Sequence, residues 1–224
     1  MIVTFEEFTT KLAYGQLKNT AFVDDAGVGA INPGHEDQIL ELTNQGLIDI
    51  FTKKKLLEGQ AVLTFVDGQN IYTLDTSEGA DYEGMVRVLQ IDAVKTGYDV
   101  IESNKKTFVP KSNKHITQPS SETLRFSDSF KTAYGPSVDV LFQKRHPVIE
   151  LGDSIDIPAH MYEALVLYVS GLYLSHMGGD QHTAKGDSYY GLYLKMMGDD
   201  EINNSSGTSE VVDEDTRFSD RGFV

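Results

Sequence analysis

Residues 61–74 read AVLTFVDGQNIYTL, and here the hydrophobic spacing of the chain changes from that of a helix to that of a strand. Ala61 to Val66 and Gln69 to Leu74 flank Asp67-Gly68, the dipeptide that suits a two-residue type I′ turn, so the spacing predicts a hairpin of two antiparallel strands. Met85 to Ala93 follows as a third strand. Its apolar residues move from even positions (Val86, Val88) to odd ones (Leu89, Ile91), which predicts a bulge. Leu124 with Phe126, then Val138, Val140 and Phe142, give two further alternations. The polar stretch Glu102 to Glu122 reads as a long exposed loop within this β unit.

On both sides of that region the period is helical. Thr4-Phe5-Glu6-Glu7 is a capping box, and Phe5, Phe8 and Leu12 fall on one face of a helix that runs to about Gln16. Asn19 to Gly34 reads as an irregular linker. Asn32 caps a second helix with Pro33 at its first position, and Ile39, Leu42, Gly46 and Ile50 form its stripe, widened by Leu47 and Phe51. After Pro158, Met161, Leu165, Tyr168 and Leu172 recur at helical spacing with Val166, Val169 and Tyr173 alongside. A helix apolar over so much of its circumference belongs in the centre of a bundle. Gly178-Gly179 ends it. Asp180 caps a successor containing Ala184, Tyr189, Tyr190, Tyr193, Met196 and Met197, and Gly171, Ser175 and Gly186 let the two backbones approach as an antiparallel hairpin. Beyond about Glu201 the periodicity fails. The expected fold class is mainly α with an inserted β unit (α+β). Residues 1–60 and 150–202 form an antiparallel helix bundle, 61–149 a β unit with a small antiparallel sheet, and 203–224 a flexible, extended C-terminal arm.

Composition narrows the functional classes. With 224 residues, 40% of them hydrophobic, the chain can bury a sizeable core. The absence of cysteine removes disulfides, thiolate metal sites and cysteine nucleophiles together. The longest nearly apolar run, Ala164 to Leu174, falls short of the roughly 20 residues that cross a bilayer, so no membrane partner is expected. The first residues, Met1-Ile2-Val3-Thr4-Phe5-Glu6-Glu7, lack a basic leader, so export by that route is not expected. A net charge of −15 repels nucleic-acid phosphates, which disfavours a DNA reader. Residues 199–224 concentrate that charge, with eight acidic residues against Arg217 and Arg221.

Patterns that carry chemistry are sparse. Gly27-Val28-Gly29 lacks both a preceding strand and a third glycine, and reads as loop. Lys53, Lys54 and Lys55 make either a phosphate patch or a favourable set of charges at a helix C-terminus, and the second is simpler. Asp153, Asp156 and His160 can converge on a metal, but two aspartates favouring a helix N-terminus and a surface or interface histidine are the simpler reading. His176 and His182 flank the double glycine, where turn packing suffices. Asp24-Asp25 in a glycine-rich loop suggests a hydrolytic pair, although adjacent side chains point apart. Tyr162, Tyr168, Tyr173, Tyr189, Tyr190 and Tyr193 suit core and subunit interface better than a ligand groove. No catalytic residue, cofactor or metal is expected, and hence no enzyme. The ending Arg217-Phe218-Ser219-Asp220-Arg221-Gly222-Phe223-Val224 is compatible with a docking peptide and equally with a frayed terminus.

The segments Leu12-Ala13-Tyr14-Gly15-Gln16-Leu17-Lys18-Asn19, Ala21-Phe22-Val23-Asp24-Asp25, Ile31-Asn32-Pro33 and Asn44-Gln45-Gly46-Leu47-Ile48-Asp49-Ile50-Phe51-Thr52, with the strand pair around Asp67-Gly68, carry a resemblance. In these and in element order the chain resembles the head-to-tail adaptor (connector) proteins of tailed phages, called tail tubular protein A in short-tailed phages. The resemblance implies a homo-oligomeric ring, usually of twelve copies, beneath the portal protein, with a downstream tail or nozzle protein on its far side. It implies a virion component, assembled in the host cytoplasm, through which DNA passes without specific binding. It makes residues 213–224 the portal-docking segment, anchored by Arg217, Phe218, Arg221, Phe223 and Val224. Two other classes remain: a glycan-binding or hydrolytic virion component using the β unit, with Asp24, Asp25 or Asp153 beside aromatic side chains, and a bacterial scaffold or adaptor subunit.

Overall fold

The computed structural model describes residues 1–18, 20, 23, 31–93 and 116–205; of 92, 93, 134 and 199–205 it describes the backbone. The elements in chain order are β1 (Ile2–Thr4), α1 (Phe5–Tyr14), a one-turn 3-10 helix (Pro33–His35), α2 (Glu36–Lys53), β2 (Glu58–Thr64), β3 (Ile71–Thr73) and β4 (Met85–Ala93). Then come β5 (Ile116–Ser120), β6 (Thr123–Phe126), α3 (Asp128–Tyr134), β7 (Ser137–Lys144), β8 (Ser154–Asp156), α4 (Ala159–Met177) and α5 (Asp180–Ser205). They divide into two units, 1–42 with 154–224 and 43–153, so the division falls within α2. The expected boundary near residue 60 lies inside the second unit.

The first unit is mainly helical. Thr4 Oγ1 accepts the Glu7 N–H at 3.1 Å while the Thr4 N–H donates to Glu7 Oε2 at 3.0 Å, so the capping box that starts α1 is complete. Asn32 caps the 3-10 turn that leads into α2, its side chain accepting the Gly34 N–H at 3.3 Å. β1 pairs antiparallel with β8, Val3 opposite Ile155, and this joins the two ends of the chain segment that encloses the second unit. α4 is buried on nearly every side, from Met161 and Tyr162 through Tyr173 and Leu174. Gly178 and Gly179 both sit at positive φ (72° and 83°), a conformation open to glycine at little cost, and reverse the chain into α5. α5 returns antiparallel along α4: Tyr190 and Tyr193 pack on Tyr168, and a Cβ on Gly186 would stand 2.5 Å from Ser175 Oγ.

The second unit carries two antiparallel sheets over one core. One has strand order β2-β7-β4 and the other β3-β6-β5. Leu63, Tyr72, Leu74, Ile91, Phe126, Phe130, Val140 and Phe142 fill the space between them. Phe65 stacks edge-on against Phe126 at 4.9 Å, and Phe126 lies 5.5 Å from Phe130. β4 shifts register against β7 between Met85 and Arg87 and again between Val88 and Gln90, where the change of apolar parity predicts a bulge.

A buried glutamine ties helix to sheet in this unit. Gln143 on β7 is fully enclosed; its Nε2 donates towards the carbonyls of Phe51, Thr52 and Lys54, and its Oε1 accepts from Arg87 Nε at 2.8 Å. The last carbonyls of a helix have no partner within it, so a side chain that reaches them acts as a C-terminal cap. Asn44, earlier on α2, adds a reciprocal pair with Ile149, accepting its N–H at 2.9 Å and donating to its carbonyl at 3.0 Å.

Four sequence expectations are corrected. The fold is mixed α and antiparallel β, but the described residues carry three small sheets, counting β1-β8, and their helices do not make up a helix bundle. The extra strands are three to five residues long, too short for an alternation to register. The strands around Asp67-Gly68 do not pair with each other: the turn closes, Gln69 N–H to Val66 O at 3.1 Å with Gly68 at φ 75°, yet β2 joins β7 and β3 joins β6. The reason is Tyr72, whose hydroxyl accepts the Val66 N–H at 3.0 Å and donates to Gln69 O at 2.8 Å, filling the place where the hairpin ladder would begin. Third, residues 116–120 of the expected long loop form β5. The helix α5 also continues past Glu201, to Ser205.

The α4–α5 contact and the Gln143 cap are separately testable. Gly186→Ala places a methyl against Ser175 Oγ and the Gly171 carbonyl and should cost about 1–3 kcal/mol, whereas Gly191→Ala meets open space and should gain up to ~1 kcal/mol from helix propensity. Urea denaturation of the two variants reads the difference in sign. Gln143→Leu strands the α2 carbonyls and Arg87, and should lower stability by about 2–3 kcal/mol in the same assay.

Candidate functional site

The anchors expected of the C-terminal segment, Arg217, Phe218, Arg221, Phe223 and Val224, lie outside the described residues, as do Asp24 and Asp25. The remaining sequence candidates fall into structural roles. Lys53 pairs with Asp49 at 2.7 Å, Lys55 pairs with Glu58 at 2.7 Å, and Lys54 is buried, so the three lysines present no joint cationic surface. Asp153 accepts the Glu150 N–H at 2.8 Å and belongs to the second unit, whereas Asp156 and His160 belong to the first. Among the described residues no group of three or more His, Asp or Glu side chains is placed to hold a metal ion. No helix of the described residues is long and apolar enough to cross a membrane.

Tyr162, Tyr168, Tyr173 and Tyr193 of α4 and α5 are buried in the first unit, and Tyr189 and Tyr190 are half-buried. Tyr173 and Tyr193 are fully buried, Tyr168 sits between Tyr190 and Tyr193, and Tyr162 meets Phe8 edge-on at 6.0 Å beneath Lys11 Nζ, 4.4 Å from its ring centre. Lys11 also bonds Glu163 at 2.9 Å. Burial raises the Tyr173 phenol, and burial with the nearby Glu163 and Glu7 charges raises that of Tyr162. Tyr173 Oη lies 3.2 Å from His35 Nδ1, so this half-buried histidine has a hydrogen-bond partner on α4.

A cavity of about 550 Å³ in the second unit is lined by Lys144, Arg145, His146, Glu78, Glu83 and Glu150, among others. Sequence reasoning passes over it. Its one local signal is the Lys144-Arg145-His146 run ahead of Pro147. β7 ends at Lys144, and the Arg145 N–H donates to Gly84 O at 2.9 Å, which fixes the run against the turn before β4. His146, only 5% exposed, has Nδ1 2.7 Å from Pro147 O and packs edge-on against Phe51. A carbonyl can only accept, so Nδ1 is the donor of this contact. Lys144 and Arg145 share the wall with three glutamates, so charges of both signs line the cavity and their fields partly offset one another. Beside it, Tyr82 is 6% exposed, and its hydroxyl has no hydrogen-bond partner among the described residues. Burial first, then the Asp81 charge, pushes its pKa up to about 12.

That phenol has a defined pH signature. Below pH 10 it is neutral whether the chain is folded or not; between about 10 and 12 the unfolded chain releases a proton that the folded chain retains, so stability falls as pH rises through that window. Tyr82→Phe removes both the late-titrating phenol and an unpartnered polar atom. Spectrophotometric titration should lose one phenolate step near pH 12, and stability at neutral pH should be unchanged or higher by up to ~1 kcal/mol.

No protein-family model matches the chain, and no curated protein is significantly similar to it.

Proposed function

We propose that the chain is a structural head-to-tail adaptor of a phage virion. Copies form a ring, of twelve on the family resemblance, that joins the portal protein to the tail and lines the DNA channel. Residues 213–224 dock on the portal through Arg217, Phe218, Arg221, Phe223 and Val224, and a downstream tail or nozzle protein meets the other side. The role is architectural, without catalysis, cofactor or membrane, in the virion after assembly in the host cytoplasm.

The observation that carries this reading is the insertion: residues 43–153 interrupt a helical unit whose two parts close on each other through β1-β8 and the α1–α4 contact of Phe8 with Tyr162. This is the element order of the adaptor resemblance, a helical body with a β unit between its helices. Two physical points support it. A net charge of −15 repels DNA phosphates, which suits a channel through which DNA slides. A terminal peptide with two arginines and two phenylalanines can gain affinity by ordering on a partner.

Mass photometry of the protein with and without purified portal tests the proposal. A ring on the portal is the expected result; a protein that ignores the portal overturns it. Deleting residues 213–224 should abolish most of the portal attachment while leaving the thermal transition of the body nearly unchanged.

A further inference from the structure

The sheet edges of the second unit are unequal. β4 is broken by two register shifts, β5 contains Pro119 and a further shift, and β3 is three residues long. These are the devices by which sheets discourage edge pairing. β2 has none of them: seven residues run without a shift against β7. Its bonding pattern follows from the bonds at its two ends, Lys144 N–H to Leu57 O and Phe65 N–H to Pro136 O. In an antiparallel ladder the bonded pairs alternate, so Gly59, Ala61 and Leu63 bond to β7 and the backbone groups of Glu58, Gln60, Val62 and Thr64 face away from it. None of those four has a backbone hydrogen bond elsewhere among the described residues. Val62 is 56% exposed on the solvent face of the strand.

We propose that the β2 edge pairs antiparallel with the β2 edge of a second copy of this chain, about a two-fold axis at Ala61. The pairing is self-complementary. With the axis there, Glu58 stands opposite Thr64 of the second copy and Gln60 opposite its Val62, so all four outward residues form bonded pairs in both directions. No like charges face each other across this register, because Glu58 is the only charged residue of β2 and its opposite is a threonine. The result is one continuous sheet of order β4-β7-β2-β2-β7-β4. An isologous contact of this kind closes on itself, so it is separate from the head-to-tail contacts of a ring, and either can fail without the other. Each copy carries −15, so added salt screens the repulsion and strengthens the pairing.

Sedimentation velocity over a dilution series, with amide hydrogen exchange at the same concentrations, tests this on the full chain. The expected result is a species of twice 24.8 kDa that dissociates on dilution, with the amides of Gln60, Val62 and Thr64 protected only where it is populated. Val62→Lys should sediment as a monomer with an unchanged circular dichroism spectrum; Thr64→Lys, also exposed, serves if that variant fails to fold. Three outcomes overturn the proposal: a wild-type monomer at every concentration, a Val62→Lys protein that associates like wild type, or protection independent of concentration. The last would put a segment of the same chain on the edge.

Discussion

The second unit depends on one primary amide. Gln143 sits on β7, the central strand of its sheet, hydrogen-bonded through its backbone to β2 on one side and β4 on the other. Its side chain reaches the carbonyls that end α2 and the guanidinium of Arg87 on β4. Helix, central strand and edge strand are therefore held by a single group that is shielded from water. A buried amide is costly unless it is satisfied, and here donors and acceptor are both used. The chain leaves α2 at Lys53 and enters β2 at Glu58, and that short passage is possible because the helix end is closed from outside.

The same unit shows why strand order and sequence order part company. Two sheets face one aromatic core, and Phe65, directly after β2, packs against Phe126 of the other sheet and Phe130 of α3. To bring Phe65 there the chain must leave its first sheet at the Asp67-Gly68 turn instead of folding back upon it. The Tyr72 hydroxyl stabilises that departure by satisfying the polar groups of the turn. In the first unit the analogous constraint is closeness. Gly171 and Gly186 bring two helix backbones into contact, and the tyrosines packed farther along fix their rotation.

Features encoded by neighbouring residues were legible. The Thr4 capping box, Asn32 with Pro33, the bulge of β4 and the double glycine after α4 each need only a few consecutive side chains to specify them. What depended on distant partners was not. The pairing of β2 with β7 joins residues some eighty positions apart, and nothing in AVLTFVDGQNIYTL distinguishes it from a hairpin. Gln143 reads in sequence as one polar residue at a strand end, and its role exists only when α2 stops above it. The candidate lysines and tyrosines were legible as types, and their ordinary uses, ion pairing and core packing, are those the structure displays. The cavity around His146 gave no periodic signal because its lining comes from separate turns and loops.

The pairing of β1 with β8 has a consequence for synthesis. Val3 leaves the ribosome before its partner Ile155, which follows only after the whole of residues 43–153. Phe8 and Leu12, buried in the finished protein, have no α4 to cover them during that interval. The inserted unit carries its own core and can condense while the first helix waits, so translation reverses the order in which the two units come first in the chain. The late closure spans a long loop, but the entropy of closure grows only slowly with length, and a compact insert shortens the effective distance further. The time for which the apolar face of α1 stays uncovered is thus set by the speed of elongation through residues 43–153.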